Sequence, residues 1–380
     1  MAARLRLSGF YAAYFAVIGV SQPYWPVWLG AQGLGPEEIG LLLGSVIWLK
    51  VVANPLLAQA ADRRRARRPF MLALCLATFA GYLGLAFAAG FWWFLALGLL
   101  VGVAYTAMLP MGDAVVLARV YERGLDYGQV RLWGSVAFIA TAIGLGYVIG
   151  AFGEAAILAA ILLLLVGVGL AVLRLPEPEA EPQRTGPGGI RYLLARPAFL
   201  LFILTTGLIM ASHAVLTGFS SIHWRAAGIA DGAIGWLWSV GVVAEIALFS
   251  VSNRVVAHLG VVNLMRLAAV GAVLRWLIMG LTISMPALLL AQALHGLTFG
   301  AAHLAAMHFI ARAVPPGMTA TAQSLNSAFG GGIAMGLALA LSGWLYDRLA
   351  GGAFHAMALL AAFGLGGALL LGRLWQGQRI

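Results

Sequence analysis

Ala233–Asn253 reads AIGWLWSVGVVAEIALFSVSN, an apolar run long enough to cross a bilayer with Glu245 in its middle. A carboxylate at mid-bilayer depth costs about 2.5–3.5 kcal/mol on insertion scales, so it marks a paired or functional group. The stretch has a twin 195 residues earlier: Ile234-Gly235 falls on Ile39-Gly40, Gly228 on Gly33, and Glu245 on Lys50. The likeness spans a whole hairpin. Tyr24–Gly44 is YWPVWLGAQGLGPEEIGLLLG and Phe219–Ser239 is FSSIHWRAAGIADGAIGWLWS. Related segments carrying opposite charges at one depth are the pattern of an internally repeated secondary transporter.

Composition excludes the soluble classes. The chain is 62% hydrophobic and only 9% charged, against about 25% charged residues in soluble domains. Its 49 glycines and 12 tryptophans suit helices packed in lipid with indoles at the interfaces. A net charge of +10 does not mean nucleic acid here, because the arginines sit in short loops between apolar segments. The lone Cys75 implies no disulfide framework, and the absence of an HExxH motif or a second cysteine argues against a metal. No cofactor is expected beyond an ion gradient. Ser8–Leu29 lacks a small-residue cleavage site and reads as a retained helix.

Twelve apolar segments follow, at 7–29, 37–60, 69–89, 91–118, 128–150, 154–174, 197–221, 232–254, 262–284, 286–312, 318–345 and 352–374. The polar stretch 175–196, rich in Pro, Glu and Gly, reads as a flexible cytoplasmic linker between an N-terminal six-helix bundle, 1–174, and a C-terminal one, 197–380. The expected architecture is all-α and integral to the membrane: twelve transmembrane helices in two pseudo-symmetric halves about a central cavity. With the N-terminus inside, 19 of the 23 Arg and Lys residues fall on the inner side and two, Arg225 and Arg348, outside. That asymmetry places both termini in the cytoplasm of a bacterial-type inner membrane.

Few ionisable groups lie inside the spans. Lys50, His213, Glu245, Arg275 and His303 each sit roughly 20 Å along their helices, near mid-bilayer. Glu245, Arg275 and His303 form the candidate proton-coupling set; the competing reading is a static Glu245–Arg275 pair that orders the C-terminal half. His295 and His308 share no tight α-helical face with His303 and read as packing residues. The candidate substrate-binding set is Lys50, Asp113, Arg131, Trp48, Trp133 and His213. Lys50 would hold an anion or pair with Glu245 or Asp113. Asp113 and Arg131 read as a pair between the fourth and fifth segments, gripping a carboxylate or latching the cytoplasmic mouth. Trp48 and Trp133 offer rings to an aromatic ligand.

Four blocks resemble the phenylpropionate permease family of the major facilitator superfamily: Leu125–Phe138 (LDYGQVRLWGSVAF), Gly218–Gly228 (GFSSIHWRAAG), Leu237–Glu245 (LWSVGVVAE) and His303–Met307 (HLAAM). Asp62 followed by RRRARR is similar to that superfamily's loop signature, with its glycines replaced. The resemblance implies a proton symporter for 3-phenylpropionate or a related aromatic acid, monomeric and non-enzymatic. In the more distant lactose permease a helix-eight glutamate, helix-nine arginine and helix-ten histidine couple proton and substrate; by helix and depth Glu245, Arg275 and His303 are similar. The helix-ten acid of that permease has no counterpart, which leaves Glu245 as the expected carrier. A proton symporter of a neutral nucleoside or oligosaccharide, and a non-transporting sensor with this fold, are the alternatives.

Overall fold

The computed structural model describes residues 2–63, 67–176 and 189–380. The basic cluster at 64–66 and most of the linker, 177–188, lie outside them. The described residues are helical throughout, joined by short turns. The N-terminal spans are α1 (Ala2–Ala31), α2 (Pro36–Arg63), α3 (Arg67–Leu85), α4 (Phe91–Arg123), α5 (Tyr127–Phe152) and α6 (Ala155–Leu173). A short α7 (Gly189–Leu194) follows. The seventh span is α8 (Pro197–Ala211) with α9 (Ala214–Ala226), the eighth α10 (Asp231–Ser250), and the ninth α11 (Ser252–Leu281). The tenth joins α12 (Met285–Ala293) to α13 (Ala302–Ala313) through a π-helical turn, Gly296–Ala301. The eleventh joins α14 (Thr319–Asn326) to α15 (Met335–Leu349) through a second, Ser327–Ala334, and the twelfth is α16 (Ala353–Leu374).

Among the described residues, ten stretches are long and apolar enough to cross a membrane. One of them, the 56-residue Thr319–Leu374, holds two crossings, separated at Ala350, the only non-glycine described with positive φ, at 46°. With α1 this gives the twelve spans expected. The first span escapes a hydropathy criterion because its interior-facing side chains are aromatic and polar. Tyr11, Tyr14, Tyr24, Trp25 and Trp28 are buried in protein, so this helix presents little greasy surface to lipid. Leucines such as Leu76, Leu163, Leu170 and Leu370 project outward instead, as spans facing acyl chains require.

Contacts divide the chain into two compact units: Met1–Gln183 with Trp224–Ser239, and Arg184–His223 with Val240–Ile380. The first part of the eighth span, Asp231–Ser239, therefore belongs to the first unit. The reading of 175–196 as a flexible linker is corrected at its C-terminal end. There α7 is tied down by Leu193, buried in a cluster with Phe199 and Phe202.

The repeat is as plain in the backbone as in the sequence. Gly33 and Gly228 both adopt positive φ, at 90° and 84°. Leu34 N donates to Leu29 O at 3.2 Å, and 195 residues on Ile229 N donates to Trp224 O at 2.9 Å. Such bonds satisfy the last carbonyls of a helix whose next residue needs a left-handed backbone, which glycine supplies without strain. Helix restarts at Pro36 and at Asp231, again 195 apart. Inside the spans, paired glycines set helix separation. A Cβ on Gly98 or Gly102 of α4 would meet Leu42 and Val46 of α2 at 3.3 and 2.2 Å. One on Gly296 or Gly300 would meet Ala244 O and Leu248 of α10 at 2.6 and 2.9 Å. Both are GxxxG pairs that let backbones approach closely in lipid.

At one end the first unit holds a small ionic cluster. Arg225 Nη2 lies 2.8 Å from Glu154 Oε1, and its Nε lies 2.7 Å from Asp231 Oδ1. Tyr24 Oη stands 3.0 Å from both the Asp231 and the Ala142 carbonyls. Gly235 lies flat on α5, where a Cβ would be 2.4 Å from Ala142 O. Glu154's own backbone N–H and then the Arg225 guanidinium hold its carboxyl below the usual carboxylate range. A lowered folded-state value means the stabilisation is complete above the unfolded value, about 4.3, and fades as pH falls through the lower one. The stability difference between wild type and Glu154→Gln, read as thermal midpoint in detergent, is therefore expected to hold at pH 7 and to shrink below about pH 4. Gly33→Ala and Gly228→Ala are each expected to cost about 1–2 kcal/mol in the same assay. Gly144→Ala, where an added Cβ meets nothing within 4 Å, should leave the midpoint unchanged.

Candidate functional site

The second unit builds its polar centre around Arg275, 1% exposed in the last third of α11. Arg275 Nη2 donates to Gln292 Oε1 of α12. Nη1 reaches Thr298 Oγ1 at 3.0 Å and His295 Nδ1 at 2.9 Å. On the far side of that imidazole, His295 Nε2 lies 3.8 Å from Glu245 Oε2. Thr298 Oγ1 also lies 3.1 Å from His213 Nε2, and His213 Nδ1 lies 3.1 Å from Ile209 O. Gly296, packed against the Ala244 backbone, is what carries its neighbour His295 alongside Glu245.

Donor chemistry orients this chain. A guanidinium has only donors, so His295 Nδ1 accepts from Arg275, and a neutral His295 carries its hydrogen on Nε2, toward Glu245. At the other end, a carbonyl can only accept, so His213 carries its hydrogen on Nδ1, and its Nε2 accepts from Thr298. Thr298 thus accepts from Arg275 and donates to His213. The guanidinium fixes the tautomer of His295, and the Ile209 carbonyl that of His213.

The arrangement differs from the sequence expectation in three places. The direct partner of Arg275 is His295, expected to be a packing residue, and not His303. Nor does Arg275 bond Glu245: its acceptors among the described residues are the neutral Gln292, Thr298 and His295. His303 instead stacks on Phe299 at 6.4 Å, and Phe299 on His295 at 5.3 Å. The reason lies in the π turn at Gly296–Ala301. α-Helical spacing of 3.6 residues per turn does not hold there, and a π segment widens the turn and changes which residues share a face. His213, expected to touch substrate, is 6% exposed, with its ring against Trp276. It belongs to the Arg275 network. Gln292 and Thr298 escaped notice because neutral polar residues in an apolar helix carry no charge signal; the GxxxG at 296–300 was the available clue.

The first unit holds a different cluster. Asp113 Oδ1 accepts from Tyr11 Oη at 2.5 Å, and Tyr127 Oη is 3.4 Å from the same phenol. Arg131 does not pair directly with Asp113 among the described residues. Its guanidinium lies over the Phe15 ring at 3.8 Å and faces the Tyr11 ring at 5.1 Å. Gly134 makes the room, since a Cβ there would stand 2.8 Å from Arg131 Nη1. Tyr11 therefore touches both residues of the expected pair and separates them. Lys50, half-buried in α2, has no hydrogen-bond or ion-pair partner among the described residues. Asn54, one turn along α2, donates to Thr106 Oγ1 at 3.2 Å. Trp48 is 38% and Trp133 51% exposed; neither joins the Asp113 or the Arg275 cluster.

Comparison with known proteins completes the description. Residues 4–358 match the model of the MFS_1 like family. The chain is 35% identical over 360 residues to the probable 3-phenylpropionic acid transporter of Escherichia coli (strain K12), covering 92% of this chain and 93% of that one. It is 27% identical over 352 residues to the maltose permease of Geobacillus stearothermophilus, covering 91% and 88%. Among solved structures it superposes on nucleoside transporter NupG with a TM-score of 0.85 at 16% identity, over 99% of this chain and 100% of that one.

Gln292→Leu leaves an Arg275 N–H buried without an acceptor, a loss of about 1–3 kcal/mol. Thr298→Val, close in shape, removes an acceptor from Arg275 and a donor from His213 together and is expected to cost more. Thermal unfolding of the purified variants in one detergent ranks them.

Proposed function

Because this chain belongs to the MFS_1-like family of the major facilitator superfamily, we propose that it is a proton-coupled symporter. On this reading it imports a small aromatic carboxylate of the 3-phenylpropionate type by alternating access. The chain is a multi-pass membrane transporter of small solutes. The named substrate of its 35% identical relative supports an aromatic acid. Lys50, a mid-span cation without a partner among the described residues, supports an anion.

One observation carries the coupling: His295 sits between Arg275 and Glu245 with its Nδ1 committed to the arginine. A proton taken up at Nδ1 would turn both ring nitrogens into donors, and Arg275 Nη1–H would then face an N–H. Protonation of His295 and the Arg275–His295 bond exclude one another. A proton that reaches Nδ1 therefore releases Arg275 to seek an anionic acceptor, while the Glu245 carboxylate, facing the Nε2–H, balances the imidazolium charge. Loss of that proton restores the present arrangement. Coupling is thus a choice of partner by one buried guanidinium, whose desolvated charge makes each alternative energetically distinct. The reading includes the proton gradient as sole energy source, a monomer, an inner-membrane location, and both termini in the cytoplasm on the arginine distribution.

A neutral solute is the second reading. The Tyr11–Asp113–Tyr127 hydroxyl cluster offers donors and acceptors suited to a sugar or nucleoside, and a maltose permease is among the relatives.

Uptake in proteoliposomes with an imposed pH gradient tests both. Glu245→Gln is expected to abolish uphill uptake of 3-phenylpropionate while leaving counterflow exchange. His295→Gln should act likewise, and His303→Phe should be mild. Uphill transport by Glu245→Gln at the wild-type rate removes the relay from the mechanism. Lys50→Gln should raise the apparent KM for the carboxylate about tenfold and leave a neutral solute unaffected; equal effects on both favour the second reading.

A further inference from the structure

The second unit carries a basic recess that the transport reading does not use. It is a shallow, open recess of about 310 Å³ where the ninth, tenth and twelfth spans end on one side of the unit, room for about ten waters at some 30 Å³ each. Gly260, at φ 70° and ψ 170°, breaks α11 there, so that helix restarts at the rim. Asn263, Arg266, Arg312, Trp375 and Gln376 line the recess with Gly260, and no carboxylate side chain lines it.

The two arginines are poorly satisfied. Arg266 Nη1 donates to Asn263 Oδ1 at 3.0 Å, and its Nε is buried with no partner among the described residues. Arg312, in the last turn of α13, is exposed at the rim and has no partner among them; the buried orphan is Arg266 Nε. Buried donors are ordinarily paired, and an orphan indicates a missing ligand, ion or water. Arg266 is held in place sterically: Gly372 of α16 lies against its guanidinium, and a Cβ there would stand 2.2 Å from Nη2. Trp375 forms a rigid wall, 4% exposed, with its indole N–H donating to Gln378 O at 2.6 Å and its ring 4.7 Å from Phe309. Beside the recess, Leu259, Leu370 and Leu374 are 39%, 51% and 53% exposed, an apolar margin of the kind acyl chains cover.

We propose that this recess binds a phosphate-bearing anion, and that its occupant is the headgroup of an anionic phospholipid such as phosphatidylglycerol. Guanidinium forks match phosphate geometry. Basic pockets between spans at the cytoplasmic leaflet are where anionic headgroups are held, and the arginine asymmetry assigns this face to that leaflet. The apolar margin favours a lipid over a soluble phosphate.

Native mass spectrometry and thermal shift on the full-length chain in detergent test this without reference to transport. Phosphatidylglycerol is expected to be retained in preference to phosphatidylethanolamine and to raise the thermal midpoint. Arg266→Gln/Arg312→Gln should weaken its apparent affinity about tenfold or more, and Gly372→Ala, which displaces the Arg266 guanidinium, should weaken it too. Both variants should match wild type in phosphatidylethanolamine alone, confirming that they fold. An equal midpoint rise with inorganic phosphate, without retention of phosphatidylglycerol, overturns the lipid assignment in favour of a soluble phosphate. Identical phosphatidylglycerol binding by wild type and the double variant overturns the site altogether.

Discussion

A guanidinium buried within a span, with neutral groups for its immediate acceptors, constrains the whole second unit. Removing such a charge from water is costly, and neutral dipoles offset only part of that cost. Arg275 gathers an amide from α12, a hydroxyl from the π turn and an imidazole between them. Each must approach to hydrogen-bond distance, so helices must come closer than ordinary side chains permit. Gly296 and Gly300, lying against Ala244 and Leu248, are the local means. The π turn then presents His295 and Thr298 on the face toward Arg275. Polarity at the centre, small residues at the contact and an irregular helix are one solution to one problem.

The two halves began from the same hairpin and use it differently. The turns share the positive-φ glycine and the same carbonyl satisfied five residues back. A twin of Glu245 in the first half is Lys50, and there the likeness ends. Glu245 sits beside an imidazole already held by an arginine, whereas Lys50 stands without a partner among the described residues. A transporter has use for both conditions: a charge whose environment can change, and one left for a ligand to neutralise.

The Tyr11–Asp113 contact illustrates how one aromatic side chain alters a charge pair. Depth and sign made Asp113 and Arg131 natural partners. In the fold Tyr11 donates to the acid and turns its ring toward the base, while Phe15 takes the guanidinium's flat face. A cation over a ring needs no counterion in contact, so both residues are accommodated without meeting.

The sequence by itself determined the number of spans, the repeat and its offset, the mid-span position of Lys50, Glu245 and Arg275, and the outer turns. These follow from hydrophobic length, charge cost in lipid and the demand for glycine at positive φ, all properties of single segments. The tertiary structure decided which histidine meets Arg275, that Gln292 and Thr298 are its acceptors, and that Tyr11 separates Asp113 from Arg131. Those outcomes depend on the angular register of one helix against another. A single π turn at Gly296–Ala301 changes that register, and α-helical periodicity read along the chain carries no sign of it.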